Sequence, residues 1–300
     1  MNSAIKNATR LALLAIAAVL TLGSCIRDDI KDCPPLHVNI IVKDKNYFNV
    51  DTIEPEDRLP EDLAFREYVP TLYWTVKDVE TGQVIATQEL HKVTGDVKSI
   101  DIDFPENLPH GTYAITAWGG LKDIGPLGDD YTTLLNHPEC FEGDDVYVTH
   151  DTLVYDPTHY DYTVEMERTK GKLIVQCENF PAEVSFQHKN MRGLAEVATH
   201  LLRYSGETNV IADHTRDIDD PRFGWVTKTV LAPTTPKGKS MLSAQFLEAG
   251  DVTTEFWAGK IEVPMHRNKI SIVRFVWGND GMKIYILIDA NWAQIVHLVF

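Results

Sequence analysis

Leu36-His37-Val38-Asn39-Ile40-Ile41-Val42-Lys43 alternates side chains so that Leu36, Val38, Ile40 and Val42 share one side. A period of two puts those four on one face of a β-strand and predicts a strand with one buried face. The same alternation recurs in SIDIDF, through Ile100, Ile102 and Phe104, and in TYAITAW, through Tyr113, Ile115 and Ala117. Further along, KLIVQC, WVTKTVLA, SMLSAQF, ISIVRFVW and MKIYILID are rich in β-branched and aromatic residues and are parted by Gly, Pro and Asp. These also read as strands. Many short strands separated by turns predict an all-β protein built from β-sandwiches rather than a doubly wound sheet. Met191 to Tyr204 fits two patterns: Leu194, Val197, Ala198 and Leu201 have helical spacing, whereas Val197, Thr199, Leu201 and Arg203 alternate. Both readings stay open.

Outward from the first strand, the chain begins as a secretion signal. Lys6 and Arg10 precede the apolar block Leu11 to Leu20, and no acidic residue occurs before Cys25. The block is far shorter than the roughly 20 apolar residues that cross a bilayer, and fits the core of a signal peptide. Leu22-Gly23-Ser24-Cys25 follows and resembles the bacterial lipobox. On that reading residues 1–24 are the signal peptide and Cys25 carries lipid, including palmitate-class acyl chains. Each buried CH₂ adds about 0.8 kcal/mol to membrane attachment. An ordinary secretory signal, leaving Cys25 as a free or disulfide-bonded thiol, is the alternative. Asp28, Asp29 and Asp32 then make an acidic tether over residues 25–35. That run resembles the start of surface-exported lipoproteins, and also fits a solvated linker.

The chain carries 28 basic and 44 acidic side chains, for a formal charge of −16, and loses Lys6 and Arg10 with the signal. Such a surface repels polyanions, which excludes nucleic acid as a partner. Beyond Cys25 the cysteines are Cys33, Cys140 and Cys177. An oxidising compartment allows one disulfide among three thiols. Cys177 closes an apolar strand and reads as a core residue, so the expected pair is Cys33 with Cys140. The basic, glycine-containing Arg168-Thr169-Lys170-Gly171-Lys172 interrupts an acidic chain between two strands. It marks a boundary between sandwiches at 36–168 and 169–300, each of ordinary domain size. Two stretches, 46–70 and 119–145, are long for loops of an all-β domain, and long loops are often functional.

Several segments together resemble FimB-type fimbrial anchor lipoproteins. They are Cys25-Ile26-Arg27-Asp28-Asp29, Asp32-Cys33-Pro34-Pro35 leading into the first strand, and Leu108-Pro109-His110-Gly111-Thr112-Tyr113-Ala114-Ile115-Thr116-Ala117-Trp118-Gly119-Gly120. MERTKGKLIV at the boundary, and Asp289 and Trp292 in ILIDANW, fit more loosely. The resemblance implies two transthyretin-like sandwiches held in the outer membrane by lipid, surface-exposed at the base of a fimbrium. The implied partner is a fimbrial stalk subunit, and the implied function is to anchor the polymer and limit its growth. In that superfamily a stalk pilin loses its first strand to a protease cutting after arginine, and a neighbour's strand fills the groove. An anchor would instead keep its first strand, here Leu36 to Lys43. Arg58 and Arg66 follow that strand, and cleavage after either would make the chain a stalk or tip pilin. Ile295, Val296, Leu298, Val299 and Phe300 form either a donor strand for the next subunit or a final core strand.

No motif in the sequence carries enzyme chemistry or calls for a cofactor: HExxH, GxSxG and the P-loop are absent, and PKGKS at 236–240 lacks the Walker spacing. His137-Pro138-Glu139-Cys140 and His150-Asp151 read as loop side chains before they read as metal ligands. Asp213, Asp217, Asp219 and Asp220 lack the glycine and terminal glutamate of an EF-hand loop and read as a solvated acidic stretch. The rival function is a surface glycan-binding lipoprotein. Trp74, Trp118, Trp225 and Trp257 discriminate: exposure on one surface favours glycan binding, and burial favours a scaffold.

Overall fold

Strand β1, His37–Val42, enters a seven-stranded sheet as an interior strand. The computed structural model describes residues 34–217, 221–222, 224–248, 251–255, 259–288 and 291–298. Before Gly171 the strands are β1, β2 (Thr71–Asp78), β3 (Val84–Lys92), β4 (Ile100–Asp103), β5 (Gly111–Gly119), β6 (Thr133–Leu135), β7 (Tyr147–Tyr155) and β8 (Asp161–Arg168). Two one-turn helices, α1 (Val50–Ile53) and α2 (Phe65–Tyr68), lie between β1 and β2. The sheet order is β3-β2-β5-β7-β8-β1-β4. β7 and β8 share only two paired positions, Tyr147 with Arg168 and Val148 with Glu167. The sheet therefore parts there into two layers, β3-β2-β5-β7 and β8-β1-β4. Gly119 shows how closely they approach: a Cβ there would sit 3.1 Å from the Met166 Cε of β8 and 2.3 Å from Val69 Cγ1.

After Gly171 come β9 (Gly171–Glu178), β10 (Val184–Leu194), β11 (Val197–Thr199), β12 (Tyr204–Ser205), β13 (Thr208–Thr215), β14 (Trp225–Leu231), β15 (Met241–Glu248), β16 (Asp251–Glu255), β17 (Gly259–Glu262), β18 (Ile270–Gly278), β19 (Gly281–Ile288) and β20 (Asn291–Leu298). One sheet runs β14-β9-β18-β19-β20, and a second runs β13-β10-β15-β16 with β17 also paired to β15. Leu173, Val175, Phe275 and Ile284 of the first share a core with Val184, Met191, Leu242 and Phe246 of the second. This is a sandwich, and the chain is all-β, as the alternation predicts. A third, three-stranded sheet joins β6 to β11 and β12.

The ambiguous stretch 191–204 is strand and turn. A register shift between Arg192 and Leu194, with Gly193 at φ 76°, moves the apolar residues out of phase. A bulge of this kind converts a period of two into a pattern that mimics helical spacing. β1 and β9 are placed alike: each lies between an antiparallel neighbour, β4 or β14, and a parallel one, β8 or β18. A strand held on both edges leaves an open groove if it is removed.

Candidate functional site at the first strand

β1 pairs with β8 from His37 opposite Asp161 to Val42 opposite Met166, and with β4 from His37 opposite Asp103 to Ile40 opposite Ile100. Leu36, Val38 and Ile40 are wholly buried and Val42 nearly so. Each such side chain contributes about 1.5–3 kcal/mol of burial free energy.

The chain leaving β1 is fixed as firmly as the strand. Asp44 is buried, and its carboxylate accepts hydrogen bonds from the Arg168 backbone N–H at 2.9 Å and the Arg267 guanidinium at 2.8 Å. Burial raises its pKa, and these donors oppose the rise. Phe48 N–H donates to Asn268 O at 2.9 Å. The Asn49 side chain donates to Ile270 O and accepts from Ile270 N–H, both at 2.9 Å. Tyr47 and Val50 pack against Ile174 of β9 and Ile270 and Ile272 of β18, on the outer face of the second sandwich's sheet. Lys228 of β14 donates to Asp57 at 2.5 Å. The first part of the long loop, as far as Asp57, thus ties β1 to strands beyond residue 170, and the run 58–62 that follows is exposed.

Arg58 and Arg66 lie within this segment. The Arg58 side chain bonds both Asp51 oxygens at 2.7 Å and Glu61 at 2.8 Å. Asn46 accepts from Leu59 N–H at 2.8 Å and donates to Leu59 O at 3.0 Å. The backbone after Arg58 is exposed but tied on both polar groups. Arg66 sits inside α2 between buried Phe65 and Tyr68 and bonds Asp96 at 2.9 Å. Proteolytic nicking favours loose, exposed loop tips; Arg58 opens the exposed run 58–62 but is held by its bonds to Asp51 and Glu61, and Arg66 lies in a helical turn.

Of the basic stretch at 168–172 only Thr169 and Lys170 stand between β8 and β9, and three of its residues are core groups. Arg168, Thr169 and Lys170 are each at most 4% exposed. The Arg168 guanidinium lies 4.1 Å from the Tyr47 ring centre and 4.8 Å from that of Tyr147. It donates to Asp145 at 3.0 Å, to Asn268 at 2.6 Å and to the Tyr147 hydroxyl. Lys170 donates to Asn136 O at 2.7 Å and Asp144 O at 2.8 Å, and burial lowers its pKa to about 8. His137 receives the Ala232 N–H on Nε2 and bonds Phe141 O through Nδ1, and burial lowers its pKa to about 3. It is a neutral structural group. No signal short of the fold marks these residues, whose partners are distant in sequence.

Cys25, Cys33, Val299, Phe300, Trp257, Asp219 and Asp220 lie outside the described residues. Cys140 is half-buried at the end of a 3₁₀ turn, and Cys177 is buried beside Gln187, whose amide reaches its sulfur at 3.6 Å. Ile295, Val296 and Leu298 belong to β20, which pairs antiparallel with β19 as the last strand of its sheet. Val296 lies opposite Ile284 and Leu298 opposite Met282, and Ile295 falls at a register shift. Among the discriminating tryptophans, Trp118 and Trp225 are buried and Trp74 is half-buried. Among the described residues no group of three His, Cys, Asp or Glu side chains could hold a metal, and no helix is long and apolar enough to cross a membrane.

No protein-family model and no curated relative matches the sequence. Solved structures do. A candidate adhesin of Bacteroides ovatus aligns with a TM-score of 0.54 at 14% identity, over 91% of this chain and 99% of that one. A candidate polysaccharide-binding protein of Bacteroides thetaiotaomicron gives 0.54 at 12% identity, over 87% and 98%. The chain has the fold of these two Bacteroides structures. The fimbrial anchor protein Mfa2 of Porphyromonas gingivalis also aligns, with a TM-score of 0.46 at 13% identity over 87% and 99%. The two neighbours with TM-scores above 0.5 are named as an adhesin and a polysaccharide-binding protein, and what they share with this chain is the fold.

Proposed function

We propose that this chain is the base subunit of a surface fimbria, held in the outer membrane by lipid on Cys25, and that it ends polymer growth by keeping its own first strand. The observation that carries this reading is the embedding of residues 44–57. A subunit that is to shed its first strand needs a connection that can be cut and withdrawn. Here withdrawal would remove Asp44 from Arg168 and Arg267, Tyr47 from Arg168, and Val50 from Ile270 and Ile272. With β1 in place the groove between β8 and β4 is filled, so no donor strand can enter beneath this subunit. β20, at a sheet edge, is the segment available to reach the first stalk subunit. The pairing of Cys33 with Cys140 and the division of the chain into sandwiches at 36–168 and 169–300 belong to the same proposal.

Deleting the gene is expected to lengthen the fimbriae and release them into the medium, and the wild-type chain is expected to restore short, attached ones. Electron microscopy of sheared and intact cells measures both. Fimbriae of unchanged length that stay attached would contradict the reading.

A further inference from the structure

The face of β2 and β3 carries an open cavity of about 680 Å³, within the range of ligand sites. Tyr73, Thr75 and Lys77 of β2 line it, with Thr87 and Glu89 of β3, and the loop from Lys122 to Tyr131 contributes Ile124, Asp129 and Tyr131. Tyr131 is the unusual member. Its backbone has φ 60°, in the left-handed region that a bulky side chain rarely occupies. Two hydrogen bonds hold it there: its N–H donates to Gly128 O at 2.8 Å, and buried Trp118 donates its indole N–H to Tyr131 O at 2.8 Å. The Tyr131 ring is thereby set against that of Tyr73, with centres 4.7 Å apart and planes inclined by 38°. Strain of this kind, held by surrounding structure, clusters at ligand sites.

We infer that this cavity binds a neutral glycan, with Tyr131 as the aromatic platform for a sugar ring. Three features favour that ligand class. Tyr131, half-buried against the buried Tyr73, offers an apolar ring with a phenolic hydroxyl at its edge. Around it stand the exposed Thr87, Glu89 and Asp129, side chains that exchange hydrogen bonds with hydroxyls. Lys77, which donates to Asp130 O at 3.1 Å, and Lys122, which pairs with Asp144 at 3.1 Å, share the lining with Glu89, Asp123 and Asp129, so the site carries no excess positive charge to select an anionic ligand. An extended peptide would need backbone groups at a strand edge. The free edge here is that of β3, the outer strand of the sheet, whereas the cavity opens on the sheet face that carries Tyr73, Thr75 and Lys77. In this account Trp118 positions the platform from below, a role separate from the seating of β1.

The test is a printed array of neutral oligosaccharides probed with the full mature chain, followed by calorimetry on the oligosaccharide that gives the strongest signal. Tyr131→Asn removes the ring but suits a left-handed backbone, and is expected to weaken binding at least tenfold. Glu89→Gln is expected to weaken it severalfold with an unchanged melting temperature. Both variants are expected to keep fimbriae short, so this inference and the anchor reading fail separately. An array without signal, binding that neither variant weakens, or capture of extended peptides in place of glycans would overturn the inference.

Discussion

Arg168→Met is expected to lower the free energy of unfolding by about 3 kcal/mol, measured by urea denaturation in a lipid-free Cys25→Ser background. Removing one partner of a buried ion pair typically costs about 3–5 kcal/mol, because the other charge is left desolvated. Here the Arg168 side chain is 5% exposed and that of Asp145 is 34% exposed, so Asp145 recovers part of its hydration and the lower end applies. Methionine fills the space of the arginine stem but gives up the stacking between Tyr47 and Tyr147, the bond to Asn268 and the bond to the Tyr147 hydroxyl. Lysine would not substitute, since a point charge cannot lie flat between two rings and donate in plane at once. A loss below 1 kcal/mol would show that the junction does not hold the two sets of strands together.

The second large effect is a dependence of stability on pH set by Lys189. Its ammonium group is buried in the second sandwich and donates to Thr229 Oγ1 at 2.6 Å and Thr227 Oγ1 at 3.0 Å, and burial lowers its pKa to about 7. Unfolded, the same lysine keeps its proton up to its ordinary pKa near 10.5. Between these values the unfolded chain binds more protons, so stability rises with pH; below about 7 the group is charged in both states and adds no further slope. Each unit of pH is worth about 1.36 kcal/mol, which predicts a gain of about 2–3 kcal/mol from pH 7 to pH 9. Burial also lowers the pKa of Lys170 and Lys172, which adds slope of the same sign. Burial raises those of Tyr47, Tyr147 and Tyr204, which would reverse the trend above pH 10. The comparison is therefore made up to pH 9 against Lys189→Met, which is expected to be more stable than wild type at pH 7 and to lose most of the slope. Equal slopes in the two proteins would contradict the assignment.

What was legible in the sequence was whatever a short window encodes. β1 and β5 declare themselves because Val38, Ile40 and Val42, or Tyr113, Ile115 and Ala117, keep strict alternation against a buried face. β10 through β12 do not, because the bulge near Gly193 breaks the phase that alternation relies on. Arg168 could not be recognised as a core residue at all. Its backbone partner Asp44 is 124 positions away, and Asn268 and Asp145 are 100 and 23 away. A lysine or arginine in an acidic chain otherwise reads as surface. The packing of Tyr47 and Val50 on β9 and β18 is equally non-local. The long loop after β1 therefore looked like a free, cleavable connection, and Tyr131 gave no sign of its backbone conformation.

The retention of β1 is tested most directly by the N-terminus of the protein taken from the outer membrane of growing cells. Intact-mass and peptide mapping should find one species that begins at acylated Cys25 and contains His37–Val42, with the Arg58–Leu59 and Arg66–Glu67 bonds uncut. A surface form that begins at Leu59 or Glu67 and lacks β1 would contradict the account and make this chain a polymerising pilin.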